Sequence, residues 1–525
     1  MEQSHKNLQK EILKYSISSP FKSGLIFVFL AAVLVWYANY ALHFNGFVIN
    51  DSHDYAQLAR NVNEGNAYST SVLRPLAYRF FTTLPQPEVT RMMGYPYFLG
   101  LSFKIFGQTD FTIVLFNSVF FVALILLVYL LTYELSRNVF LSTMSALMVL
   151  CMQSFLDHSL QAEPNIMYSA LYVAFFYFYV KYPGRYLIYG IMLGLLHLVR
   201  ANTQFVFLAF FLLYIFHGKE NIKGRLLDAG KLSAGFLIGI SPHLIRNYII
   251  IGNPFFSLYG YSFLLFTKSF PTYSVWTQIS DVNPIMFVMS HPGEMILKSY
   301  HWFVMLIEKS MDFYNPVILL LTGITFFMPV KNPQLRFLRI VTVVAIIVQT
   351  VLLLPMGAVP YYYMFFFPVI IIVSVINVDD YLKKYSRIGL LLGLIVFVVT
   401  AIPYWKSPKP INPFISMGEQ VKKLTNKDDL ILTDMPWELA WYADRKAIWL
   451  PYDLDTLKTI SKTLKPSYVI LSGKMYVPYK DMIWMRMLND SNYAKSLGYR
   501  LESVILFQNI TIALMYKTID SSDAL

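Results

Sequence analysis

Two short stretches hold most of the side chains that could do chemistry. "NDSHDYAQLARNVNEG", Asn50 to Gly65, carries Asp51, His53, Asp54 and Tyr55, and Arg74, Arg79 and Arg91 follow downstream. "SFLDHSLQAEPNIMYS" carries Asp157, His158 and Glu163 with no lysine or arginine. Arg200 closes one apolar run and Arg246 closes another. A carboxylate can serve as a general base. Carboxylates with a histidine can ligate a divalent ion, although no spacing here is diagnostic of one. An arginine fork suits a phosphate better than a lysine does. Charges near the level of a bilayer are costly and tend to mark function. Taken singly, each of these residues also fits a solvated or snorkelling group at a helix end.

The elements that must position them are apolar. Of 525 residues 56% are hydrophobic, 17% aromatic and only 14% charged, against about a quarter charged in soluble proteins. Apolar runs recur at roughly 24–43, 111–132, 139–155, 166–181, 186–200, 203–217, 229–245, 313–330, 338–355, 361–378 and 388–403. Their lengths approach the roughly 20 residues that span about 30 Å of hydrocarbon. The expected fold is therefore an all-α polytopic membrane protein of about eleven transmembrane helices. The first run follows a lysine-bearing segment (Lys6, Lys10, Lys14, Lys22) with no small-residue cleavage site after it, and reads as an uncleaved anchor. The single cysteine, Cys151, excludes an intrachain disulfide.

The net charge of +12 does not point to nucleic acid. Basic residues concentrate in short loops, at Lys181 and Arg185; Lys219, Lys223, Arg225 and Lys231; Lys331, Arg336 and Arg339; Lys383, Lys384 and Arg387. With the N-terminus in the cytoplasm, every one of these clusters falls on the cytoplasmic side. The opposite side receives long loops at about 44–110 and 246–312, the short Asp157–Glu163 loop, and everything after residue 403. The two stretches that opened this section thus share one face. After the proline-rich "PYWKSPKPINP", short β-like runs alternate with polar helical stretches, which predicts a small α/β domain at 404–525 outside the membrane, following a transmembrane domain at 1–403.

Ordered motifs give a family resemblance. "INDSHDYAQLARNVNEGNAYS", "RMMGYPYFLGLSFKIFG", "LQAEPNIMYSALYVAFFYFYVK", "GIMLGLLHLVRANTQ", "PHLIRNYIIIGNPF" and "DMPWELAWYADRKAIWLP" follow one another along the chain. Together they resemble the bacterial GT-C membrane glycosyltransferases related to protein O-mannosyltransferases and the lipid A aminoarabinose transferase. The chain departs from them at Ser52, where many relatives carry Glu, at Tyr361–Tyr363, where many carry an arginine, and at Ala201, where many carry proline.

The resemblance implies transfer of a monosaccharide from a polyprenyl-phosphate donor to a glycan, lipid or protein acceptor at the outer face, in a bacterial inner membrane. A phosphate leaves as a stable anion and needs no general acid, unlike the leaving oxygen in glycoside hydrolysis. One carboxylate suffices to take the acceptor's proton, inverting the anomeric centre, while cations stabilise the phosphate. By position in the family pattern, Asp51 is the base and Glu163 the second carboxylate. Arg246, Arg91 and Arg200 are the phosphate ligands. Asp54, Tyr55, Asp157 and His158 are candidates for acceptor or metal contacts; a divalent metal is left open.

Between Pro292 and Tyr314, apolar and charged residues at near-helical spacing predict an interfacial amphipathic helix over the site. Two other readings compete. A flippase of lipid-linked saccharides would place charges at mid-membrane in two related halves, and neither feature is visible. A polysaccharide polymerase would lack the early acidic loop and the C-terminal domain.

Overall fold

A computed structural model describes residues 19–217, 221–473 and 475–519. Lys6, Lys10, Lys14 and Lys219 lie outside the described residues. Each of the eleven apolar runs carries a helix. By length and composition five segments can cross a membrane: Pro20–His43, Asp110–Ser136, Ile222–Ile251, Pro333–Met356 and the long run Pro360–Trp405. A sixth forms if Pro292–Tyr314 and Pro316–Phe327, which meet at 101°, make one broken span. Val139–Leu150, Tyr186–Val199 and Thr203–His217 are shorter apolar helices within the bundle. The protein is an integral membrane protein, mostly helical.

Local chemistry sets several helix starts. Helices Pro284–Ser290, Pro316–Phe327 and Pro333–Leu353 each begin at an Asn-Pro pair. The asparagine side chain accepts from N–H groups that have no helical partner, and the proline supplies a preset φ. Gly252, at φ 77°, closes the 30-residue helix Ile222–Ile251.

Two helices touch through glycines. Gly190 and Gly194 of Tyr186–Val199 face Gly235 and Gly239 of Ile222–Ile251. A Cβ at Gly190 would stand 2.1 Å from the Leu232 carbonyl, and one at Gly235 would stand 2.1 Å from that of Leu187. Small residues at this spacing let the two backbones meet. Any larger side chain would push apart the two helices that end in Arg200 and carry Arg246.

Outside the bundle lies a six-stranded sheet in the order β2-β5-β4-β6-β8-β7. It is built from β2 (Val72–Leu73), β4 (Leu430–Thr433), β5 (Lys446–Trp449), β6 (Tyr468–Leu471), β7 (Tyr499–Phe507) and β8 (Ile510–Thr518); β1 (Ser69–Thr70) and β3 (Gln86–Pro87) form a separate small ribbon. β2, β5, β4 and β6 run parallel, and β8 and β7 add antiparallel. β4 and β6 are buried along their length because both faces are covered. The edge strand β2 comes from the first long loop, and Leu258, Leu264 and Trp276 of the second long loop share the core that holds Leu432, Ile448 and Val469. The two long loops and the C-terminal sheet are therefore one packed layer above the bundle.

The helix Pro292–Tyr314 forms as expected, and Ile296, Tyr300, Phe303, Ile307 and Met311 make an exposed apolar stripe along it. It does not cover the site described below. None of its residues lines that cavity, and Leu306 packs one layer behind it, against Phe205, Leu353 and Ala358.

Candidate active site

The stretch after the first span is not an extended loop but a helix, Asn50–Asn63, with Asp51 in its first turn. A carboxylate is favoured there by the unpaired N–H groups and the helix dipole. The helix is buried from Ser52 to Asn61, and the C-terminal region clamps it. Arg60 donates to the main-chain carbonyls of Ala440 and Trp441, stacks on the Trp441 ring at 5.1 Å and pairs with Asp444 at 3.4 Å. The Trp441 Nε1–H and the Tyr442 hydroxyl both donate to Asp110, at 2.8 and 3.0 Å. "DMPWELAWYADRK" is thus the segment that pins the helix over the bundle.

Asp51 and Asp54 differ sharply in environment. Asp54 is fully buried and accepts from Arg74 at 2.8 Å, from Arg91 Nε at 3.0 Å and from Gln57 at 3.1 Å. Glu88 adds a second acid to Arg74 at 3.7 Å. Asp51 is about a third exposed, its side chain at 34%, and among the described residues its ionic partner is Arg91. Arg91 bridges the two aspartates and lies 5.1 Å over the Tyr55 ring. Its guanidinium is held charged, with burial opposing and Asp51, Tyr55 and Asp54 prevailing. The Tyr55 hydroxyl is pushed up to about 12, chiefly by burial. His53 is fully buried among the rings of Phe47, Phe414 and Tyr442, and burial lowers it to about 3. It is a neutral core histidine.

Glu163 is buried at the head of helix Asn165–Lys181, with Asn165 donating to it at 2.6 Å and His158 Nδ1 at 3.1 Å. Burial alone would raise the Glu163 carboxyl, but the His158 hydrogen bond and charge, with Arg200 and Arg91, hold it below the usual range. Burial would likewise lower His158, and Glu163 outweighs it to raise the imidazole. Each of the two therefore favours the charged form of the other. Because Glu163 titrates low and His158 high, the pair contributes above the carboxylate's value and is lost as pH rises through that of the imidazole. Asp157 is raised by burial and, like His158, does not line the cavity.

Arg200 follows the helix Tyr186–Val199 and is 9% exposed. Its guanidinium rests on the rings of Tyr362 at 5.3 Å and Tyr361 at 5.9 Å and reaches Asn202 at 3.4 Å. Among the described residues no carboxylate lies within ion-pair distance of it, whereas Arg91 and Arg74 are each matched by acids. The tyrosines that stand where relatives carry an arginine are the surface on which Arg200 lies.

Arg246 is placed elsewhere. It does not line the cavity but stacks on the Tyr68 ring at 4.9 Å and donates to the Tyr68 carbonyl at 2.9 Å. The Tyr68 hydroxyl in turn donates to the carbonyls of Arg91 and Met92, both at 3.0 Å. Arg246 supports Arg91 from behind. The structure does not bring it to the other candidates, because the helix Ile222–Ile251 turns that side chain toward the first long loop.

Five of the candidates meet. Asp51, Tyr55, Arg91, Glu163 and Arg200 line one cavity of about 730 Å³. From this charged end the cavity continues between helices Thr203–His217 and Ile222–Ile251, along Phe205, Leu208, Phe211, Phe236, Ile240 and Leu244. Asn165, His197, His243 and Tyr259 also line it and were not singled out from sequence. His197 offered a signal, since it sits one helical turn before Arg200. Among the described residues no group of three or more His, Cys, Asp or Glu side chains is placed to hold a metal ion.

The chain is similar to a known family in sequence and to solved structures in fold. The family model for dolichyl-phosphate-mannose-protein mannosyltransferases matches residues 90–245, a segment that includes Arg91, Glu163 and Arg200. The whole chain superposes on the oligosaccharyltransferase of Archaeoglobus fulgidus, in a complex with Zn and sulfate, at a TM-score of 0.57 and 12% identity, covering 96% of this chain and 74% of that one. The chain shares the fold of that oligosaccharyltransferase. A second structure of the archaeal protein, tethered to an acceptor peptide, gives a TM-score of 0.54 at 11% identity over 86% and 68% of the two chains. ArnT from Cupriavidus metallidurans bound to undecaprenyl phosphate gives 0.45 at 12% identity over 95% and 99%. No curated protein matches the chain in sequence.

Proposed function

We propose that the protein is an inverting glycosyltransferase that moves a monosaccharide from a polyprenyl-phosphate donor to an acceptor at the outer membrane face. One observation carries this reading: a single cavity joins a carboxylate-and-arginine end to a long apolar groove between membrane helices. A lipid-linked sugar phosphate needs both halves. Arg200, a buried cation with no carboxylate at ion-pair distance among the described residues, takes the phosphate, and the groove takes the first part of the lipid tail. Asp51, at the opposite wall and open to the cavity, accepts the proton of the attacking hydroxyl. Arg91 fixes the Asp51 carboxylate, and its charge adds to that of Arg200 near the leaving phosphate. Glu163, held by Asn165 and His158, orients the acceptor or the sugar. No general acid is required, so the pairing of Glu163 with His158 leaves the chemistry intact. The match to a dolichyl-phosphate-mannose-dependent family model over residues 90–245 supports a lipid-phosphate donor.

Membranes and surface glycans compared with and without this protein test the reading. A surface glycan that lacks one sugar, with the matching polyprenyl-phosphate sugar accumulating, is the expected result; unchanged glycans and lipids would refute it. We also place the eleven helical runs as eleven crossings, with the N-terminus cytoplasmic and the layer built from residues 404–525 and the two long loops outside. A reporter fused after Leu525 should then appear outside the cytoplasm, and a cytoplasmic signal would overturn that orientation.

A further inference from the structure

Tyr259 lines the large cavity and has no part in the chemistry described so far. It stands in the turn Leu258–Phe263, near the start of the second long loop. Its hydroxyl shares a hydrogen bond of 2.8 Å with that of Tyr362, distant in sequence. Of the two rings against which Arg200 lies, that of Tyr362 is the nearer, at 5.3 Å. The main chain of Tyr362 is fixed, since its carbonyl accepts from Gln349 at 2.9 Å and from Asn202 at 3.5 Å. Those bonds leave the ring its side-chain torsions. What holds the ring is its hydroxyl tip, met by Tyr259 on one side and by Tyr361 on the other.

The turn is also tied to the segment that carries Arg91. The Leu258 N–H donates to the Val89 carbonyl at 3.0 Å. Two residues on, the Arg91 N–H donates to the Glu88 carboxylate at 2.9 Å, and Thr90, Arg91 and Met92 line the cavity. The turn has its own anchors. The Ser257 hydroxyl accepts from the Tyr259 N–H at 3.2 Å, and the Phe256 carbonyl accepts from Asn247 of helix Ile222–Ile251 at 2.9 Å. Consecutive residues therefore bridge the cavity. Leu258 grips the segment of Arg91, the partner of Asp51, and Tyr259 grips the ring on which Arg200 rests. A misplacement of about 1 Å far from the reacting atoms can cost about 10²-fold in rate, so the alignment of these two walls matters to transfer. We propose that Tyr259 is a positioning residue: through Tyr362 it holds the Arg200 guanidinium in register with Asp51 and Arg91. This inference rests on the donor reading above and adds the residue that couples the second long loop to the donor cation.

The test measures binding of two lipids to the full-length protein in nanodiscs by native mass spectrometry. The lipids are undecaprenyl phosphate and undecaprenol, which share a tail and differ in the phosphate. Wild-type protein should prefer the phosphate. Tyr259→Phe keeps the ring and removes only the hydroxyl. It should weaken undecaprenyl phosphate binding by about three- to tenfold, the range of one net hydrogen bond, and leave undecaprenol binding unchanged. Tyr362→Phe should act in the same way. The double variant should cost no more than the larger single loss, because both changes remove one shared bond. Equal weakening of both lipids in Tyr259→Phe would make the residue a packing element and overturn the proposal. Phosphate binding within about twofold of wild type would overturn it as well. So would additive losses in the double variant, which would put the Tyr259 hydroxyl on the phosphate itself. Wild-type protein that holds both lipids equally would overturn the donor reading, and this inference with it.

Discussion

Asp51→Asn is expected to lower transfer by about 10²–10⁴-fold, the range a positioned general base contributes, with expression, folding and donor binding retained. The amide keeps the shape and can still meet Arg91, but it cannot take a proton. The fold should tolerate the change because Asp51 is partly exposed and the buried Asp54 still pairs with both Arg74 and Arg91. Asp54→Asn, three residues on, supplies the contrast. It removes the buried charge between Arg74 and Arg91, and breaking such a buried pair costs about 3–5 kcal/mol. That variant should lose thermal stability in detergent along with activity. An Asp51→Asn protein that transfers sugar at the wild-type rate would remove the base from the mechanism. A stable and inactive Asp54→Asn would exchange the roles assigned to the two acids.

Arg200→Ala is expected to have a comparable effect through the donor. Among the described residues Arg200 has no carboxylate within ion-pair distance, and its guanidinium already lies against the Tyr361 and Tyr362 rings. A preorganised donor aimed at charge that develops as a bond breaks is worth about 10²–10³ in rate. The loss should fall on turnover and donor affinity together. Lysine at this position should restore only part of the loss, since a point charge cannot offer the planar fork. Arg246→Ala should act more weakly and indirectly, by loosening Tyr68 under Arg91.

The apolar runs were legible in the sequence because the bilayer demands length and hydrophobicity, and each of the eleven carries a helix. The clustering of Asp51, Arg91, Glu163 and Arg200 was legible from motif order, since all of them stand at span ends or in loops of one face. Telling Asp51 from Asp54 was not, because three residues along a helix put both on one side, and only Arg74, twenty residues away, decides which is buried. Arg246 misled for a related reason. A charge at a span end reads the same whether it faces a cavity or supports a neighbour, and the ring it stacks on, Tyr68, is distant in sequence. The strand Val72–Leu73 is two residues long and carries no period to read. Its pairing with Ala447 and Ile448 nevertheless ties the first long loop to the C-terminal sheet, and so holds the helix of Asp51 in place.

Titration of undecaprenyl phosphate into nanodisc-embedded wild-type and Arg200→Ala protein, read by native mass spectrometry, tests the central assignment most directly. Saturable binding of one lipid per wild-type chain, weakened by about tenfold or more in Arg200→Ala and unchanged in Asp51→Asn, is the predicted result. Equal lipid occupancy in wild-type and Arg200→Ala protein would mean that the arginine-ended cavity is not where the lipid phosphate is held.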